Sequence, residues 1–81
     1  MDAIKIVRRA ATVDEFIEMK QSVGWGYPDK NAIYIGLNNT LFSVCVEKRD
    51  EIIGYGRLIG DGGFTFYIQD IIVKPKIKEW V

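Results

Sequence analysis

Histidine is absent from the 81 residues, and cysteine occurs once, as Cys45. Without imidazole, His-based catalysis is excluded; with a single thiol, so are zinc sites of the Cys/His kind and any intrachain disulfide. An excess of either charge is also lacking, since eleven Lys and Arg balance eleven Asp and Glu. A phosphate backbone or an anionic membrane surface selects a basic footprint, so neither nucleic acid nor a membrane is an expected partner. No apolar run approaches the ~20 residues of a membrane span. Met1-Asp2-Ala3-Ile4-Lys5 lacks the basic and then continuously apolar regions of a signal peptide, so the expected location is cytoplasmic.

What is present is ordinary for a folded domain: 48% hydrophobic and 27% charged residues. A chain this short buries only about 60% of its unfolded surface, so residues 1–81 are expected to form a single domain with most of the chain structural. Ile4-Lys5-Ile6-Val7-Arg8 is short and β-branched, which suits a first strand. Thr12-Val13-Asp14-Glu15 reads as a capping box, with the threonine hydroxyl facing the third amide and Glu15 reaching back. A helix is therefore expected over 13–23, with Val13, Phe16, Ile17 and Val23 near helical spacing and Gly24 in the left-handed position that ends it.

Trp25-Gly26-Tyr27-Pro28 cannot continue a helix and is expected to plug the edge of the core with its aromatics. From Asp29 the pattern is ambiguous: 32–37 has the composition of a strand, but Ile33 and Leu37 at i, i+4 behind an Asp cap favour a short second helix, stopped by Asn38 and Asn39. Strand signals follow at 41–46, 51–59 and 64–73. The first two are separated by the polar turn Glu47-Lys48-Arg49-Asp50, the last two by Gly60-Asp61-Gly62-Gly63, where at least one of Gly62 and Gly63 should take positive φ. Gly54 and Gly56 inside a strand signify a bulge or a close backbone approach, or are simply tolerated by an ordinary twisted strand. Lys74, Lys76 and Lys78 read as a solvated basic end.

Glu51-Ile52-Ile53-Gly54-Tyr55-Gly56-Arg57-Leu58-Ile59, a turn, and Tyr67-Ile68-Gln69-Asp70-Ile71-Ile72-Val73-Lys74-Pro75 together resemble the third and fourth strands of GNAT N-acetyltransferases. The segments Ile-Val-Arg-Arg-Ala and Thr-Val-Asp-Glu-Phe are similar to that family's first strand and first helix. The resemblance implies an α+β half fold: a four-stranded, mainly antiparallel sheet in order 1-2-3-4 with two helices between the first two strands. It also implies acetyl-CoA as cofactor and an amine as acceptor. In the family the pantetheine arm lies along the fourth strand like an added strand, a role that falls here on the main chain of Ile71, Ile72 and Val73, with the groups of Ile71 and Val73 making the contact. From residue types alone, the same three residues read rather as a buried strand.

Beyond the matching Val-x-Pro the family continues with a glycine-rich segment whose amides hold the pyrophosphate at a helix N-terminus. Here Lys76-Ile77-Lys78-Glu79-Trp80-Val81 follows, with no glycine after Gly63. The resemblance therefore covers about half of a GNAT fold, and these residues alone are expected to be inactive. The alternatives are a non-catalytic dimerisation or interaction module, or the front half of an enzyme completed by a second chain. No catalytic residue is assigned. Asp70, the one carboxylate of the fourth strand, is a candidate general base weighed against a hydrogen-bonded strand carboxylate, and Cys45 reads as a small buried hydrophobe. Phe64, Phe66, Tyr67, Ile68, Ile71, Ile72 and Val73 are expected to lack cover. That points to a homodimer through the fourth strand or the uncovered sheet face, with Trp80 and Val81 buried against the partner.

Overall fold

The computed structural model describes residues 4–75. The element order is β1 (Lys5–Val7), α1 (Val13–Ser22), α2 (Lys30–Asn38), β2 (Phe42–Lys48), β3 (Glu51–Gly60) and β4 (Phe66–Val73). The four strands form one antiparallel sheet in the order β1-β2-β3-β4, as the α+β half fold required.

The helix ends follow their local chemistry. Thr12 Oγ1 accepts from the Glu15 amide at 3.1 Å while Glu15 Oε1 accepts from the Thr12 amide at 2.9 Å, so two orphan donors are satisfied reciprocally. Gly24, at φ +74°, takes the left-handed conformation that ends α1. The ambiguous segment is a helix: Asp29 Oδ1 accepts from the Ala32 amide at 3.0 Å, and Ile33 and Leu37 are its two buried residues.

Strand boundaries shift from the expected ones. β2 runs on through Glu47 and Lys48 because its turn has two residues, not four, with Arg49 and Asp50 both at positive φ (52° and 63°). That is the mirror-image hairpin turn that matches strand twist, built here without glycine, and so it was invisible in the residue types. β1 is only three residues long, and Phe64 and Thr65 belong to the turn before β4. In that turn Gly62 holds φ +81° and Asp61 Oδ1 accepts from the amides of Gly63, Phe64 and Thr65. The most constrained glycine there is Gly60, where a Cβ would stand 2.0 Å from the Thr65 carbonyl oxygen.

Two bulges bend the sheet. Val46 pairs with Gly54 but Glu47 with Ile52, making Ile53 the extra residue beside Gly54; a Cβ on Gly54 would meet Val46 at 3.3 Å. Both the bulge and the close approach are thus present at Gly54, whereas Gly56 has room for a methyl group. In β4, Arg57 pairs with Asp70 and Leu58 with Ile68, so Gln69 is the extra residue.

The register divides the side chains between two faces. Cys45, Tyr55 and Ile72 form one cross-strand row, buried under Phe16 and Met19 of α1, with Ile33 and Leu37 of α2 completing the core. The Phe16 and Tyr55 rings meet edge to face, centroids 6.3 Å apart. On the opposite face the rows are Ile6, Val46, Gly54 and Val73; Val44, Gly56 and Ile71; and Phe42, Leu58 and Ile68. No helix of the described residues packs there.

Three expectations are corrected. Lys74 is not part of a solvated end: it is 7% exposed, and its ammonium donates to Glu18 on α1 and to Glu51 Oε1 at 3.0 Å, two carboxylates that compensate its burial. Lys76, Lys78, Trp80 and Val81 lie outside the described residues. Ile72 does not lack cover, since it points to the helix face, although Phe64, Phe66, Tyr67, Ile68, Ile71 and Val73 are exposed as expected. Trp25 and Tyr27 do not plug the core edge. Each is nearly half exposed; Trp25 lies over the Lys20 ammonium and Tyr27 Oη accepts from Gln21 Nε2.

Candidate functional site

Among the described residues β4 is an edge strand, and its alternation decides which main-chain groups are available. The Lys74 amide donates to the Ile53 carbonyl at 3.0 Å, so Lys74 points toward β3. Strand residues alternate in the side to which their N–H and C=O point, so Ile72 also faces β3 while Ile71 and Val73 face the open edge. The side chains divide differently: Ile72 is buried under the helices, and those of Ile71 and Val73 stand on the uncovered face. The three residues singled out in the sequence therefore combine one buried anchor with two outward peptide units. Just before them, the bulge at Gln69 leaves that residue without a ladder partner on β3. Bulges recur beside active sites because they re-aim the strand.

Asp70 is the best-connected group of the sheet. Its Oδ2 accepts from Arg57 Nε at 2.6 Å and its Oδ1 from Lys20 Nζ at 2.9 Å, with 4% of the side chain exposed. Arg57 Nη1 also reaches Thr40 Oγ1 at 3.1 Å and the Gly36 carbonyl at 3.4 Å, and so ties β3 to the end of α2. Lys20 lies 5.2 Å from the Phe16 ring centroid and 5.0 Å from that of Trp25, an arrangement of rings that favours the cation. Burial pushes the Asp70 carboxyl up, but hydrogen bonds from Arg57 and Lys20 outweigh it and hold the pKa below the usual carboxylate range. A carboxylate so stabilised is a poor proton acceptor.

The other candidates are no better placed. Cys45 is fully buried, its thiol lies 3.6 Å from the Arg9 carbonyl oxygen, and burial raises its pKa. Tyr55 is buried with its hydroxyl lacking any hydrogen-bond partner; Ser43 is near, but no bond of acceptable geometry forms, and burial raises the phenol pKa. Among the described residues no group of His, Cys, Asp or Glu is positioned to hold a metal ion. What these residues present is an open strand edge whose neighbouring carboxylate, Asp70, is already held by two cations. Sequence reasoning missed the Lys20–Asp70–Arg57 cluster and the Gln69 bulge, for which residue types at separations of 50 and 13 carry no signal.

No protein-family model matches the sequence, and no curated protein matches it. Solved structures do. A protein of unknown function and probable acetyltransferase from meticillin-resistant Staphylococcus aureus, SA2161, superposes with a TM-score of 0.86 at 33% identity over 94% of this chain and 57% of its own. The GNAT family acetyltransferase SP0256 of Streptococcus pneumoniae TIGR4 gives 0.78 at 27% identity, over 91% of this chain and 55% of its own. The chain therefore spans a little over half the length of these relatives.

Proposed function

From the N-terminal half of the GNAT acetyltransferase fold that this chain carries, we propose that it forms the front half of an acetyl-CoA-dependent N-acyltransferase site, holding the cofactor's pantetheine arm along β4. The observation that carries this reading is the outward direction of the Ile71 and Val73 peptide groups on an open edge. Pantetheine is itself a chain of amides, so it can satisfy these groups as an added strand does. Ile72, locked into the core, fixes the strand against which the arm lies.

Transfer of an acetyl group to an amine also requires a group to take the amine's proton. Asp70 is neutralised by two cations, and Cys45 and Tyr55 are buried with raised pKa values. On this reading these three groups orient the sheet rather than move a proton, and turnover depends on residues contributed from elsewhere. This favours the front-half reading over a self-sufficient enzyme.

Titrating acetyl-CoA into isotopically labelled 81-residue protein tests the proposal. Amide shifts concentrated between Gln69 and Lys74 are expected, without release of free CoA when amines are added. No perturbation at millimolar acetyl-CoA, or shifts confined to other elements, would refute the binding edge. Steady turnover by this chain alone would refute its dependence on other residues.

A further inference from the structure

The helix side of the sheet holds a charge imbalance that packing alone does not resolve. The side chains of Lys20, Arg57 and Asp70 are 14%, 16% and 4% exposed, so two cations share one anion largely out of water. Among the described residues no other carboxylate bonds to either cation. The acids of the two helices are engaged elsewhere: Asp14 with Lys30, Glu15 with Arg9 and Glu18 with Lys74, while Asp29 caps α2. The Phe16 and Trp25 rings attract the Lys20 ammonium but do not neutralise it. The cluster therefore keeps one net positive charge, and a buried charge without a partner is costly.

A cavity of about 70 Å³ adjoins this cluster. Phe16 of α1, Pro28 of the connection, and Ile33 and Leu37 of α2 give it apolar walls, and Gly36 and Arg57 also line it. It lies neither on the open edge of β4 nor on the sheet face opposite the helices. Arg57 has donors to spare: Nε is taken by Asp70 and Nη1 by Thr40 and, at 3.4 Å, by the Gly36 carbonyl, while Nη2 has no acceptor among the described residues. Gly36 adds a second clue. Glycine in a helix interior is less stable than alanine, yet a Cβ here would meet only Arg57 Nη1, at 3.9 Å, so close packing does not require the glycine. What its missing side chain preserves is space beside the guanidinium.

These features specify a ligand. The excess charge selects an anion, a planar guanidinium suits a carboxylate, and the walls select an apolar tail. The volume is about half that of a ~150 Å³ cavity that holds benzene, which limits the tail to about two or three carbons. We infer that this cavity binds a short-chain carboxylate, its oxygens accepting from the Arg57 guanidinium and its tail lying against Phe16, Ile33 and Leu37. An α-amino acid fits less well, because its ammonium would bring a third cation. The inference goes beyond the acetyl-CoA reading and does not depend on it.

Titrating sodium propionate into the isotopically labelled 81-residue chain at constant ionic strength tests it, with propionamide, alanine and sodium chloride as parallel arms. Saturable amide shifts at Ile33, Gly36 and Leu37 are expected, with half-saturation at millimolar propionate, the strength that so few atoms allow. Propionamide and alanine should bind at least about 10-fold more weakly, for want of a net negative charge. Gly36→Ala, which puts a methyl group into the space, should weaken propionate binding about 10-fold while leaving the melting temperature unchanged or raised. Lys20→Met leaves a neutral Arg57–Asp70 pair and should weaken binding by about the same factor, with the circular dichroism of the fold retained. No saturation by propionate up to about 100 mM would overturn the inference. Equal binding of propionamide would reduce the cavity to an apolar hollow, equal binding of chloride would make it an unselective cationic patch, and equal binding of alanine would remove the preference for a free acid; each would overturn it. Propionate binding that neither substitution weakens would place the carboxylate elsewhere and would also overturn it. Acetyl-CoA shifts along β4 report on the other proposal separately, so either can fail alone.

Discussion

Replacing Asp70 by Asn tests the buried charge cluster directly. One carboxylate faces two cations, Arg57 at 2.6 Å and Lys20 at 2.9 Å, and the three side chains are at most 16% exposed. An asparagine keeps the shape but has one acceptor oxygen and one NH2 group, so an amide donor must face the N–H of Arg57 or of Lys20. Two cations would then remain mostly buried without an anion. Breaking a buried pair by removing one partner costs about 3–5 kcal/mol. An 81-residue domain has roughly 4–12 kcal/mol of total stability. In a chain this size each kcal/mol is worth about 4–8 °C, so Asp70→Asn should lower the melting temperature by about 12 °C or more, or leave the chain unfolded at room temperature. Lys20→Met is the control: it keeps the Asp70–Arg57 pair and apolar contact with Phe16 and Trp25, and should cost about 1–2 kcal/mol. The pH dependence has a definite sign. Asp70 has a lower pKa folded than unfolded, so its contribution is present above the unfolded value near 3.9 and is lost as pH falls through the folded value. Urea titrations at pH 7 and over pH 2–5 measure both effects. The reasoning fails if Asp70→Asn costs less than ~1 kcal/mol or less than Lys20→Met.

Tyr55→Phe removes a buried hydroxyl that has no partner and should be neutral or stabilising by up to ~1 kcal/mol in urea unfolding; a loss above ~1 kcal/mol would mean that the hydroxyl is bonded. In the β3–β4 turn, alanine should be worst tolerated at Gly60, where its Cβ overlaps the Thr65 carbonyl, should cost ~1–2 kcal/mol at Gly62 with its positive φ, and should be close to neutral at Gly63; thermal melts giving any other order would contradict the turn geometry. Burial lowers the pKa of Lys74, but the hydrogen bonds to Glu18 and Glu51 outweigh it and leave the pKa raised. Its contribution is therefore present below the unfolded value near 10.4 and lost as pH rises through the folded one. Lys74→Met should remove that part of the alkaline fall in stability, as the difference between the two proteins from pH 9 to 12.

Some of the candidate site was legible at the outset. The positions of Ile71 and Val73 followed from the strand run before Pro75 and from the family pattern, and strand alternation then places their peptide groups on the edge. That Ile72 faces the helices while its neighbours face outward required the register of β4 against β3. One clue to the bare face was in the sequence: Phe42, Val44 and Val46 alternate with Ser43 and Cys45, so β2 has apolar residues on the side away from the helices as well. A strand with both faces apolar asks for cover on both.

The sequence by itself determined the number, kind and order of the elements, together with the capping box at Thr12, the Asp29 cap and the glycine turn at 60–63. These rest on contacts within about four residues, where spacing and side-chain type are enough to specify the geometry. Where the signal was weak, as in the glycine-free turn at Arg49 and Asp50, strand pairing imposed positive φ on residues that do not advertise it. Only the tertiary structure decided that Lys74 lies inward between Glu18 and Glu51, that Asp70 is neutralised by residues 50 and 13 positions earlier, and that the bulges fall at Ile53 and Gln69. Each depends on how strands and helices far apart in the chain align, and a shift of one residue in register would turn the same side chains to the opposite face.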